Sequence, residues 1–261
     1  MSDAITLSHE GTASVVTLTL PPFNLLDIET MEQLVAIHRE ADAHEGTRVI
    51  VTRSGLDGMF CNGLNPMTVL DADLAGRRAI FEAVGRLAAG LYTLTKPHIA
   101  VLNGPAMAGG AVLAILADFR YIDAERGAIC FAEAKVGVPI PEGLVAVIGN
   151  VCQTPAMREV VMLGKNFDAQ SALNVGLVDG IATRDGLDEI VAKQVARLSR
   201  LSLDVLVASK ASLRAAVRAK AVDPFASGSS NGKHFMDFIG DDYLGEGLRA
   251  FMEGRQPVFT K

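Results

Sequence analysis

Apolar residues recur along the chain at strand spacing in some segments and at helix spacing in others. Ala13 to Leu20 is a Val/Thr/Leu-rich run suited to a pleated surface, and it stops at Pro21-Pro22-Phe23-Asn24. Met31, Leu34, Val35 and His38 then repeat at helical spacing up to Gly46, behind Asp27, whose short carboxylate suits a helix cap. Arg48 to Thr52 reads as a second strand and Ser54-Gly55 as the start of a loop. Residues 66 to 95 read mainly as helix with an internal break, after which Pro97 introduces the apolar strand His98 to Leu102. Asn103-Gly104-Pro105 ends that strand, Gly109 to Leu116 predicts a compact helix, and Phe119 to Ile122 a returning strand. Beyond Thr154 the pattern predicts helices over 155–163, 168–174, 186–200 and 204–221. Asp223 to Gly232 has the breaker density of a loop, and His234 to Gly254 is again largely helical.

This repeated order of strand, glycine-bearing loop and helix predicts an α/β layer with a largely parallel sheet. A boundary near residue 200 separates an α/β core (1–200) from a helical region (201–261) that is too short to stand confidently alone. Ala208, Leu213 and Val217 on that region would cover the core or form a subunit surface.

The charge balance narrows the function. The 261 residues carry 24 Lys and Arg against 30 Asp and Glu, a net charge of −6, with 49% hydrophobic residues. That excludes a disordered chain and argues against a basic nucleic-acid binder. Met1 to Glu10 has neither a basic nor an apolar leader region, and no stretch is long and uncharged enough to span a bilayer, so a cytoplasmic protein without a membrane partner is expected. Cys61, Cys130 and Cys152 are widely spaced and read as buried thiols. His38, His44, His98 and His234 show no compact spacing with carboxylates, so no metal is expected. Neither a Gly-x-Gly-x-x-Gly nor a phosphate loop is present to suggest a nucleotide cofactor, and no Gly-x-Ser-x-Gly elbow suggests an α/β-hydrolase.

Candidate chemistry gathers at two glycine corners near predicted strand ends, Phe60-Cys61-Asn62-Gly63-Leu64-Asn65 and Asn103-Gly104 through Ala108-Gly109-Gly110. Such corners serve as ordinary turns or as places where backbone amides approach a ligand. If the Leu64 and Gly110 amides converge, they would donate two hydrogen bonds to one oxygen as negative charge develops on it, with about 3 to 4 kcal/mol available from each donor. Glu133 is the leading side chain. It sits in the apolar run Ile129-Cys130-Phe131-Ala132-Glu133-Ala134, where enclosure would raise its proton affinity and let it act as both base and acid. Glu142 is a possible second acid, although Pro139 and Pro141 point to a surface loop. Lys96 and Arg120 are cations that a solvent-facing position would accommodate.

Taken together, these motifs resemble the enoyl-CoA hydratase/isomerase, or crotonase, family over almost the full chain. The likeness rests on Pro21-Pro22-Phe23-Asn24, Phe60-Cys61-Asn62-Gly63-Leu64, Asn103-Gly104 through Ala108-Gly109-Gly110, Asp118-Phe119-Arg120 and Ala172-Leu173-Asn174-Val175-Gly176-Leu177-Val178, in that order. It implies a crotonase-like (ββα)n spiral core with a C-terminal helical trimerisation region, assembled as a homotrimer or a dimer of trimers. It also implies acyl-CoA thioester substrates, fatty-acid metabolism and no bound cofactor. Leu64 and Gly110 would form the oxyanion hole, and Asn65, Met107 and Val112 would belong to the substrate pocket. Where the family's hydratases place one glutamate, two residues after the oxyanion glycine, this chain has Val112; the other glutamate position matches Glu133.

Mitochondrial-type Δ3-Δ2-enoyl-CoA isomerases give the nearer likeness, extended by Phe235 to Asp242 and Leu248 to Glu253. That implies a double-bond shift with Glu133 as the sole base and acid, and Val112 packed against the acyl chain. Competing implications are an enoyl-CoA hydratase or thioester hydrolase using Glu133 with Glu142, and an acyl-CoA-binding subunit without turnover.

Overall fold

A computed structural model describes residues 4–225, 235–240 and 242–259. The chain begins with β1 (Ile5–Glu10), β2 (Ala13–Leu18), α1 (Ile28–Ala43) and β3 (Val49–Ser54). Two helices, α2 (Pro66–Asp71) and α3 (Leu74–Tyr92), lead to β4 (His98–Leu102), β5 (Ala106–Met107), α4 (Gly109–Ile115), β6 (Phe119–Asp123) and β7 (Ala128–Cys130). A single tight turn, Glu133–Val136, precedes α5 (Glu142–Gly149), α6 (Thr154–Leu163), β8 (Phe167–Asp168), α7 (Ala169–Val175) and β9 (Gly180–Ala182). The chain continues with α8 (Arg184–Ser199), α9 (Leu203–Val222), α10 (Phe235–Phe238) and α11 (Asp242–Met252).

The larger sheet has the order β1-β2-β3-β4-β6-β9. β1 pairs antiparallel with β2, and every pair from β2 onward is parallel. Alternation along the strands sends Val16, Leu18, Ile50, Ala100, Leu102 and Ile122 into the main core with Leu34, Leu87 and Leu91 of α1 and α3. The alternate positions Val15, Val51, Val101 and Tyr121 face Leu187, Val191 and Leu198 of α8. A second sheet, β5-β7-β8, stands beside it and carries the region around Glu133. This is the α/β layer with a largely parallel sheet that the order of elements predicts.

Local details depart from the sequence pattern where short-range chemistry dominates. The break in 66–95 falls at Ala72-Asp73, where the Asp73 carboxylate accepts from the Gly76 N–H at 2.7 Å and starts α3 afresh. Glu142, expected in a loop, instead opens α5, because Pro141 at φ −58° is pre-set for a helix entry rather than a barrier to it. β1 and the short β7, β8 and β9 carry too little apolar pattern to be read as strands. Along α9, Ala208 and Leu213 are exposed while Val217 packs on the core. His234 lies outside the described residues, and His38 and His98, which look isolated in sequence, share the Thr52 hydroxyl at 2.7 and 2.8 Å. Among the described residues, no helix is long and apolar enough to cross a membrane.

The helical region is tied down by buried charge. Asp118, just before β6, accepts from Lys210 Nζ at 2.7 Å and Arg214 Nη2 at 2.6 Å, both on α9. The same carboxylate accepts from the His98 backbone N–H at 2.8 Å. Arg214 also donates to the carbonyls of Tyr92 and Leu116 and lies 4.3 Å from the centre of the Tyr92 ring. Burial lowers the Lys210 ammonium to about 8, against the pull of Asp118. Arg120, open to a solvent-facing reading in sequence, is 1% exposed and pairs with Asp179 at 3.0 Å.

Removing Asp118 leaves two buried cations without their anion, which costs about 3 to 5 kcal/mol. Asp118→Ala is therefore expected to lower the melting temperature by about 10 °C in a scanning calorimeter. A change within about 2 °C contradicts this anchoring role.

Candidate active site

Asn24 holds the first corner in place. It is fully buried at φ 49°, a left-handed conformation that asparagine tolerates better than most residues. Its Oδ1 accepts from the Leu20 N–H at 2.7 Å, and its Nδ2 donates to the Phe60 carbonyl and to Ser54 Oγ, each at 2.8 Å. Its own carbonyl accepts from Cys61 Sγ at 3.0 Å. The second corner is stitched to the first through backbone: Phe60 and Cys61 N–H donate to the Pro105 carbonyl, and Met107 N–H donates to the Cys61 carbonyl at 2.9 Å. Ala108 N–H donates onward to the Cys130 carbonyl at 2.8 Å, linking both corners to β7.

Two glycines set how closely these corners meet. A Cβ on Gly63, which adopts φ 77°, would lie 2.7 Å from the Gly109 nitrogen, and one on Gly110 would lie 2.0 Å from the Cys61 carbonyl oxygen. No side chain fits at either point, so backbone approaches backbone. Leu64 N is 3.5 Å from the position a Cβ on Gly109 would take, which puts that amide beside the start of α4. Gly110 is the second residue of α4, so its N–H belongs to the first turn, which has no acceptor within the helix. Ala108 enters that turn at φ 46°, ψ −117°, with no side-chain cap, a strained conformation that costs about 1 to 3 kcal/mol.

Beside the corners lies a cavity of about 150 Å³ whose described lining includes Leu64, Met107, Ala108, Gly109, Val112 and Glu133. Glu133 enters it from the turn after β7. Its Oε2 is enclosed and lacks a hydrogen-bond partner among the described residues. Burial pushes the carboxyl up to about 7, and no neighbouring cation offsets this. Asn62 is the other polar side chain of the described lining, and Glu133 is its only titratable one. Part of the remainder comes from an apolar cluster that joins Val69 and Phe81 to Phe235 and Leu244, and part from the main core through Val84, Val112 and Leu144.

The structure thus brings Leu64, Met107, Val112 and Glu133 to one cavity, with Gly110 packed behind Gly109 against Cys61. Two sequence candidates lie elsewhere. Asn65 caps α2, its Oδ1 accepting from the Met67 N–H at 3.1 Å, and Glu142 pairs with Lys220 at 2.6 Å outside the cavity. Val84 and Phe225 are lining residues that motif reading did not single out, and Phe235, which opens the tail segment of the likeness, joins them there. Leu244, Leu248 and Phe251 recur at helical spacing on α11, the one local sign that this helix faces something apolar. All three cysteines are buried and free, and among the described residues no group of three or more His, Cys, Asp or Glu is disposed to hold a metal.

Two backbone corners thus meet beside one carboxyl within an α/β fold built on a largely parallel sheet. The chain belongs to the enoyl-CoA hydratase/isomerase family, whose sequence profile matches residues 8–261. It is 27% identical to a carnitinyl-CoA dehydratase of Citrobacter koseri, over 99% of both chains. Among solved structures it is similar to an enoyl-CoA hydratase from Mycobacterium avium, with 26% identity, a TM-score of 0.80 and coverage of 98% of this chain and 99% of that one. It shares the fold of the human mitochondrial delta3-delta2-enoyl-CoA isomerase at a TM-score of 0.86 and 22% identity, covering 96% and 97% of the two chains.

The raised proton affinity of Glu133 has a consequence for stability. Its folded value of about 7 lies above the ordinary 4.5, so the native state holds the proton more tightly, and stability falls as pH rises between those values. Glu133→Gln mimics the neutral acid. The variant is expected to match the parent at pH 4 and to exceed it by about 3 kcal/mol at pH 8 in urea unfolding. Equal stabilities at both pH values would show that the carboxyl is solvated.

Proposed function

We propose that this chain acts on acyl-CoA thioesters by moving a proton at the acyl chain through Glu133, and that the double-bond shift from Δ3 to Δ2 is the reaction its cavity supports best. One observation carries the choice: a single titratable side chain in the described lining of an otherwise apolar cavity. In this reading Glu133 removes a proton from C2, and the electron pair of that C–H bond extends the C3=C4 double bond into a dienolate whose charge rests on the thioester oxygen. The amide N–H groups of Leu64 and Gly110 donate to that oxygen. The protonated Glu133 then delivers its proton to C4, leaving the double bond between C2 and C3. A carboxyl near 7 suits both halves of this cycle, because at neutral pH it is available as carboxylate to take the proton and as acid to return it. Val112 keeps the reacting end apolar and disfavours an ordered water there.

A second reading, hydration of enoyl-CoA or the reverse dehydration, is favoured by the relatives: the dehydratase and hydratase named above are more similar in sequence than the isomerase structure. It requires another acid or base to handle water, and Glu142, paired with Lys220 outside the cavity, is badly placed for that part. Incubating the purified protein with Δ3-hexenoyl-CoA and with Δ2-hexenoyl-CoA, followed by product identification, separates the two. Accumulation of the Δ2 isomer from the first substrate, with little 3-hydroxyacyl product from either, is the expected outcome. Hydration of the second substrate as the faster reaction would replace isomerisation with the second reading. Glu133→Gln is expected to lower turnover at least about 100-fold with substrate affinity retained. Full activity in that variant contradicts both.

A further inference from the structure

The wall of the cavity is aromatic, and it comes from segments far from the two corners in sequence. Phe81 of α3 meets Phe235 of α10 edge to face, with ring centres 5.4 Å apart, and Phe225 lies 4.8 Å from Phe235 at a tilt. Phe81 and Phe235 are buried, whereas Phe251 on α11, another lining residue, is largely exposed and marks the rim. The wall is built rather than incidental. Gly85 lies in the interior of α3, where glycine weakens a helix, and a Cβ there would fall 2.8 Å from Phe225 Cε2. The missing side chain is what seats the Phe225 ring.

Volume turns this wall into a limit. The cavity of about 150 Å³ matches the size of an apolar protein cavity that takes a benzene-sized guest, or about six carbons. Its described lining offers no anion besides Glu133, and the aromatic rings are engaged with one another rather than arranged around an open centre. A cationic acyl group would therefore find only Glu133, the group that must stay free for the acyl chain's proton, and would be desolvated at considerable cost.

Resting on the acyl-CoA reading above, we propose that the Phe81–Phe235 pair is a specificity stop that restricts the chain to short uncharged acyl groups of about six carbons. Longer chains meet the rings before the thioester reaches the glycine corners.

Calorimetric binding of saturated butanoyl-, hexanoyl-, octanoyl- and decanoyl-CoA, referenced to free CoA, tests this without requiring turnover. Affinity is expected to peak near hexanoyl-CoA and to fall at least about tenfold at decanoyl-CoA. Phe81→Ala is expected to recover about tenfold in decanoyl-CoA affinity while weakening or leaving unchanged that for butanoyl-CoA. Phe81→Leu, a milder change that preserves packing, should move the optimum in the same direction. Affinity that keeps rising through decanoyl-CoA in the parent protein overturns the stop, as does an unchanged length profile in both folded variants. Tighter binding of carnitinyl-CoA than of hexanoyl-CoA overturns the exclusion of charge. Those results leave acyl-CoA recognition standing, whereas binding of every thioester no better than free CoA removes the acyl reading and the stop together.

Discussion

The backbone contact between two loops at the carboxyl ends of β3 and β4 is the constraint on which the site depends. Gly110 lies so close to the Cys61 carbonyl that no side chain would fit between them, and Met107 and Cys61 are joined by a backbone hydrogen bond. Once those corners touch, the Leu64 amide sits beside the start of α4, and Ala108 must turn through a strained conformation to let the helix begin. The surrounding structure opposes that strain with ordinary bonds: the Ala108 N–H is held by Cys130, and the whole first corner is held by the buried Asn24 amide. The parallel sheet contributes by delivering both loops to the same end, with both of its faces already covered by helices.

Proton affinity at Glu133 follows from what surrounds it, because the segment after β7 carries the carboxyl inward among apolar groups. Its Oε2 finds no donor among the described residues, so burial alone sets the direction of its shift. A cation or a second carboxyl in the same cavity would change both its charge state and its chemistry. Val112 is apolar and Glu142 pairs with Lys220 outside the cavity, so among the described lining Glu133 is the single titratable group. In the proposed reading, that single carboxyl is the group that moves a proton along the substrate.

Parts of this arrangement are legible in the sequence because they obey local rules. β2, β3 and β4 are rich in Val, Ile and Leu, β6 sets Phe119, Tyr121 and Ile122 around Arg120, and Asp27 caps α1 through the Thr30 N–H as its position suggests. Glu133 stands out because a charged residue rarely follows so apolar a segment without reason. What escapes a local reading is what depends on distance along the chain. Phe81 and Phe235 are separated by 235 − 81 = 154 positions and meet only because α10 folds back over α3. Strands of two or three residues, such as β5, β8 and β9, are too short for an alternating pattern to repeat and exist because neighbouring strands supply their partners. The role of Asn65 is hidden for the opposite reason: its use as a helix cap is local and ordinary, whereas its neighbour Leu64 lies at the cavity.

The buried charges and the aromatic wall belong to one mechanical problem. α9 ends at Val222, three residues before Phe225, so the position of that ring depends on how firmly the helix is fixed. Apolar contact along α9 is modest, with Val205 and Leu213 exposed, and directional bonds do the fixing instead. Lys210 and Arg214 reach under the sheet to Asp118, and Arg214 also spans the end of α3 at Tyr92 and the end of α4 at Leu116. α3 carries Phe81 and Gly85, and α4 carries Gly110 and Val112, so one cation ties the helix leading to the wall to both helices that shape the cavity. A hydrophobic contact would tolerate sliding along α9, whereas these hydrogen bonds fix its register and with it the depth of the pocket.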